Sequence, residues 1–93
     1  MSKVFIEPKD LSDKEMSDGF YKIFLLNDDV NSMEHVVFCL ISALDYDPSV
    51  AFKIAVETHL NGRSLIQTNE KDKIVTLRTL LEHYGLKSEV VKV

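Results

Sequence analysis

A nearly unbroken apolar run, Phe20 to Leu26 (FYKIFLL), stops dead at three consecutive oxygen-bearing side chains, Asn27-Asp28-Asp29, in a chain of 93 residues. Aromatic and branched residues in a short run predict a strand, and continuous rather than alternating apolarity predicts one buried on both faces, hence central in its sheet. Asn and Asp are turn formers because they bond nearby backbone, so any one of the three is accounted for by a turn. Together they offer more acceptors and more negative charge than a turn needs. Such a surplus suits a cation or an ammonium group.

The rest of the chain supplies what packs on that strand. Asn31 followed three residues later by Glu34 has the spacing of a capping box, and Met33, Val36, Val37, Leu40, Ile41 and Leu44 recur on one helical face. Asp47-Pro48 opens a second helix and Gly62 closes it. Arg63 to Thr68 reads as a short strand. A third helix is expected from about Asn69, with Asp72 three residues on, through Ile74, Leu77, Leu80, Leu81 and Tyr84 to a stop at Gly85. Val90, Val91 and Val93 make a last strand. The order β-α-α-β-α-β predicts an α+β fold, a single small domain with a three-stranded antiparallel sheet and helices packed on one face. Residues 1 to 19 alternate charges with few large apolar residues after Ile6, which predicts a flexible N-terminal arm ahead of a folded domain at 20 to 93.

Composition removes several classes of function. With 45% hydrophobic residues the chain can bury one core and is too short for two. Net charge is −4, and Glu70 and Asp72 interrupt the nearest basic group, Lys71, Lys73 and Arg78, so no nucleic-acid partner is expected. The single cysteine, Cys39, permits no internal disulfide, and no stretch has the length of a signal peptide or membrane span. The expectation is a cytoplasmic protein with no membrane partner.

Chemistry has few places to sit. His59 falls in the last turn of the second helix, near the edge of the face formed by Ala51, Ile54, Ala55 and Thr58. It is either an ordinary boundary histidine or part of a site. His35 and His83 fall on exposed helical sides. A metal-dependent enzyme would gather Asp28, Asp29 and His59, but no tight ligand spacing supports it, so no metal and no cofactor are expected. Cys39, mid-helix between Val36 and Leu40, reads as a small buried thiol rather than a nucleophile. Without a phosphate loop or nucleophile elbow, no enzyme is expected.

The stretch "YKIFLLNDDVNSMEHVV", followed by "VETHLNG", resembles the ClpS family, adaptors that deliver proteins to Clp-type AAA+ unfoldases. The similarity runs ungapped from about Tyr21 to Gly62. It implies a fold shared with the C-terminal domain of the bacterial ribosomal stalk protein, so a protein-interaction module with a different client is the alternative. It also implies binding of the free N-terminal residue of N-degron proteins, with Asn27, Asp28, Asp29 and His59 at the amine. Asn31, where the family has Thr, would contact peptide backbone, and Met33, Val36, Ala55 and Thr58 would line a hydrophobic pocket. Ala55 stands where many members have Met, and Thr58 where they have a branched aliphatic residue, which implies a roomier, slightly more polar pocket. The family's run for docking the unfoldase N-domain diverges here: Gln67, Asp72, Val75 and Leu77 stand at its Gly, Glu, Glu and Lys positions. The resemblance leaves open which of Glu89, Val90 or Val91 floors the pocket.

Overall fold

The structure, a computed structural model, describes residues 16–93. Its elements are β1 (Phe20–Leu26), α1 (Met33–Leu44), α2 (Pro48–Asn61), β2 (Arg63–Glu70), α3 (Lys71–His83) and β3 (Ser88–Lys92). The sheet has the order β2-β1-β3 with both pairings antiparallel, so β1 is central as its composition predicts. This is the α+β fold and element order read from the sequence.

The core lies between one sheet face and the three helices. Tyr21, Ile23 and Leu25 are buried, as are Leu40, Ala51, Ile54, Ile74, Leu81 and Val90. The expectation that β1 is buried on both faces is corrected: Lys22, Phe24 and Leu26 alternate with the core residues and are only half-buried. Helices cover one face alone. On the other, the Arg63 guanidinium lies 4.0 Å above the Phe24 ring and supplies partial cover that no run of apolar residues announces.

Strand β3 begins earlier than expected and ends at Lys92, so Val93 falls outside it, and three other boundaries differ from the sequence reading, each for a physical reason. Ser32, not Asn31, caps α1, its hydroxyl accepting from the His35 N–H at 3.1 Å. Asn31 is committed elsewhere, as described below. Strand β2 continues to Glu70 because it pairs along the whole of β1, from Leu26↔Arg63 to Phe20↔Glu70, with an irregularity between Ile23 and Phe24. That extension carries the expected cap Asn69 into the strand, where its side chain accepts from the Glu70 N–H. Helix α3 therefore begins at Lys71 without a side-chain cap, and the Lys71 N–H donates to Gly19 O at 3.0 Å.

Helix α2 keeps its predicted ends. Asp47 accepts from the Ser49 N–H and Pro48 is the first helical residue. The Ser49 hydroxyl and N–H hold the Asp47 carboxyl below its ordinary pKa. At the start of the described residues, Met16 is packed into the core and the Tyr21 hydroxyl donates to Ser17 O at 2.7 Å. Most of the expected arm, residues 1–15, lies outside the described residues.

Candidate functional site

The end of β1 is tied to two other elements by its backbone. The Leu26 N–H donates to Lys87 O at 3.0 Å and the Asn27 N–H to Gly62 O at 2.9 Å. Gly62, at φ 87°, closes α2 in the left-handed conformation, its own N–H donating to Thr58 O. Only glycine adopts that conformation without steric cost, and it turns the Gly62 carbonyl toward Asn27. Thus the last turn of α2, with Thr58 and His59, is held beside the three residues that end β1.

The loop from Asn27 to Ser32 then closes on itself. Asp28 Oδ1 accepts from the N–H groups of Val30 and Asn31, both at 2.8 Å, and Oδ2 accepts from Asn31 Nδ2 at 2.9 Å. These bonds, Asn31's first, hold the Asp28 carboxyl below its ordinary pKa. Asn31 Nδ2 also donates to Gly85 O at 3.0 Å, fastening the loop to the end of α3. Asn31 is thus a brace between two loops, which is why the cap falls to Ser32. For Asp28 the turn accounts for both oxygens. The side chains of Asn27 and Asp29 are exposed.

Between these pieces lies a cavity of ≈ 330 Å³. Asn27, Asp28, Asp29, Asn31 and His59 line its polar end, and Met33, Val36, Ala55 and Thr58 line its walls. All nine residues singled out from the sequence therefore meet at one place. Three others join them: Leu26, Ser32 and Leu86.

Leu86 is where the sequence reading fell short. None of Glu89, Val90 or Val91 lines the cavity; the buried Leu86, between α3 and β3, does. Helix α3 ends with Gly85 at φ 82°, the Gly85 N–H donating to Glu82 O and the Leu86 N–H to Leu81 O. That is a Schellman ending, whose hydrophobic partner follows the glycine. A leucine directly after the helix-ending Gly85 was the available signal.

The walls are apolar in effect. Thr58 is buried and its hydroxyl donates to Ile54 O at 2.8 Å, so it brings no free donor to the cavity. Ala55 is buried and small, while Met33 is half-buried at the start of α1. Among the described residues no group of three or more His, Cys, Asp or Glu side chains could hold a metal ion. Asp28, Asp29 and His59 line one cavity without forming such a group.

Cys39 is fully buried, and burial raises its thiol pKa. Its sulfur lies 3.3 Å from His35 Nε2, which is also 3.3 Å from Tyr84 O. A histidine thus stands beside the cysteine one helical turn away, yet a thiol held protonated in the core is a poor nucleophile. At the positions corresponding to the family's docking run, Asp72 is exposed, Val75 half-buried and Leu77 buried. No helix among the described residues is long and apolar enough to cross a membrane.

Comparison with known proteins agrees with this architecture. The sequence pattern of the family described as "ATP-dependent Clp protease adaptor protein ClpS" matches residues 16–89. The chain is similar to the ATP-dependent Clp protease adapter protein ClpS of Synechococcus elongatus, with 34% identity over 74 residues, 75% of each chain. It is also similar in fold to Agrobacterium tumefaciens ClpS2 bound to L-phenylalaninamide, with a TM-score of 0.66 and 22% identity over 94% of this chain and 100% of that one.

Proposed function

Because the chain belongs to the ClpS family of Clp protease adaptors, we propose that its cavity binds the free N-terminal residue of N-degron proteins, for delivery to a Clp-type AAA+ unfoldase. The observation that carries this reading is the division of the cavity: Asn27, Asp29 and His59 at one end, Met33, Val36, Ala55 and Leu86 in the walls. A chain's free N-terminus has the same division. It is an ammonium with three donors beside a side chain, and the side chain here is bulky and apolar.

The chemistry follows from acceptor counts. Asn27 Oδ1 and a neutral His59 ring nitrogen each accept from the ammonium, and the Asp29 carboxylate supplies negative potential. Asp28 contributes its charge but holds the loop with its oxygens. Asn31, whose Nδ2 already donates twice, offers its amide oxygen to a peptide N–H beyond the first residue. An internal peptide bond has neither the charge nor the three donors, so the polar end discriminates the terminus from the rest of a chain. That L-phenylalaninamide, a free-amine phenylalanine, is the molecule bound to ClpS2 supports the ligand class.

The magnitudes suffice. One buried apolar side chain contributes roughly 1.5–3 kcal/mol, and each hydrogen bond to a charged group about 1.5–3 kcal/mol. With the Asn27, His59 and Asn31 bonds these sum to roughly 6–12 kcal/mol before the cost of ordering a peptide end is subtracted. With Ala55 in the wall, the hollow accommodates Trp or Tyr better than a pocket lined by Met there. We place the adaptor in the cytoplasm, whose reducing conditions suit its one buried thiol. On α3, Asp72 is the exposed residue of the divergent docking run, so contact with the unfoldase N-domain involves it and not the buried Leu77.

Fluorescence anisotropy with a labelled Phe-initiated peptide and its N-acetylated twin tests the reading. Acetylation removes charge and donors together, and the expected loss is at least about 100-fold. Equal binding of the two peptides would transfer the cavity to another client.

A further inference from the structure

Beside the cavity, along the seam between α1 and α2, lies a second hollow of ≈ 480 Å³, lined by Met33, Glu34, Val37, Phe38, Ile41 and Phe52. Its walls are overwhelmingly apolar, and its two aromatic rings are open to water: Phe38 is 61% exposed and Phe52 57%. Neither ring belongs to the core cluster. Two adjacent exposed phenylalanines on a small domain mark a surface with an occupant.

Met33 lines both hollows, and on α2 Phe52 lies one turn before Ala55 of the first cavity. Residues so spaced on a helix are about 5–6 Å apart. In an extended peptide, side chains alternate sides, so the first and third residues point the same way about 7 Å apart. The two hollows therefore adjoin, with Met33 as a shared wall, within the reach of residues 1 and 3 of one extended strand.

We propose that this groove receives an apolar side chain at the third position of the bound degron, making the chain a reader of two residues rather than one. The inference rests on the N-terminal-residue reading of the first cavity and adds a preference to it. With the amine held where α2 ends and α1 begins, the peptide runs along the seam over Met33 toward Phe52 and Ile41. The second side chain points to solvent and is not selected.

The test compares free-amine peptides beginning Phe-Ser-Leu, Phe-Ser-Ser and Phe-Leu-Ser, with N-acetylated counterparts, against the wild-type chain and the variants Phe52→Ser and Phe38→Ser. Both phenylalanines are more than half exposed, and thermal melts verify that the variants stay folded. The Phe-Ser-Leu peptide is expected to bind about five- to tenfold tighter than the other two, as for half-burial of a leucine side chain. On either variant that advantage falls below about twofold. Equal affinity for all three sequences, with acetylation still abolishing binding, overturns the third-residue site and leaves the degron reading intact. So does an advantage that survives both variants. If acetylated and free peptides bind alike, both readings fall together. Concentration-dependent self-association, lost in Phe38→Ser and unaccompanied by any third-position preference, assigns the groove to a second copy instead.

Discussion

The two ends of the cavity are built in opposite ways. The polar end is a lattice of directional bonds: Asp28 receives three donors, Asn31 bridges Asp28 and Gly85, and the Asn27 N–H meets the Gly62 carbonyl. The walls are apolar side chains, Met33, Val36 and Ala55 on two helices and Leu86 after α3, which line the cavity without any such bond between them. Directional acceptors lose most of their value when a partner is missing or misplaced, whereas an apolar wall changes by increments of area. On the proposed reading, the polar end decides whether a ligand is a chain terminus, and the walls grade which side chain follows.

That contrast can be broken at either end. The largest effect is expected at the polar end: His59→Ala removes one acceptor from the ammonium and should weaken a Phe-initiated peptide by about 10- to 100-fold, with thermal stability nearly unchanged. Anisotropy and a melt on the same sample check both halves. A loss below threefold would remove His59 from the site.

Gly62→Ala comes next and acts on geometry. An added Cβ meets no atom within 4 Å, so the cost is that of the left-handed backbone alone, about 1–2 kcal/mol in chemical denaturation. Because Gly62 also receives the Asn27 N–H, peptide affinity should fall with stability. If affinity holds while stability drops, the two loops are not coupled through this carbonyl.

Asp28→Asn sharpens the distinction between a residue that holds the loop and one that meets the ligand. It sets two amide NH₂ groups against each other where Asp28 Oδ2 now accepts from Asn31, and should lower the melting temperature by a few degrees at neutral pH. The sign with pH is fixed by the depressed carboxyl. Its stabilisation is complete above the ordinary carboxylate value and is lost as pH falls through the lower folded value. The wild-type advantage over Asp28→Asn should thus persist down to about pH 4 and vanish below it. Melting curves from pH 7 to pH 2 would expose a gap that closes earlier.

The smallest effect belongs to the walls. Ala55→Met fills part of the hollow and should shift the ratio of Leu- to Trp-initiated peptide affinity toward Leu by about two- to fivefold. Acetylation should abolish binding to this variant as it does to wild type. An unchanged ratio would mean that Ala55 does not set the size of the pocket.

Legibility followed the range of the interaction. Strand β1 and both ends of α2 could be read from the sequence because their signals are contiguous: an apolar run, Asp47-Pro48, and a glycine after the last turn. Of the candidate site, Asn27 to Asp29 and His59 stood out by residue type and place, whereas Asn31, Met33, Val36, Ala55 and Thr58 were expected only through the resemblance to the ClpS family. Partnership was not legible. Asn31 read as a cap because the spacing to Glu34 is correct, but Gly85, remote in sequence, draws its amide away. The expected fully buried β1 failed because one face has helices over it and the other has only such cover as Arg63 provides.

By itself, then, the order of residues determined the element sequence, the single small α+β domain and which side chains carry polar chemistry, because local propensity and hydrophobic period act over a few residues. The tertiary structure decided which oxygens are already occupied, that Leu86 rather than the last strand lines the cavity, and that two hollows adjoin along one helical seam. Those outcomes depend on where the β1, α2 and α3 ends meet. Long-range hydrogen bonds and helix packing set that meeting point, and no window along the chain contains it.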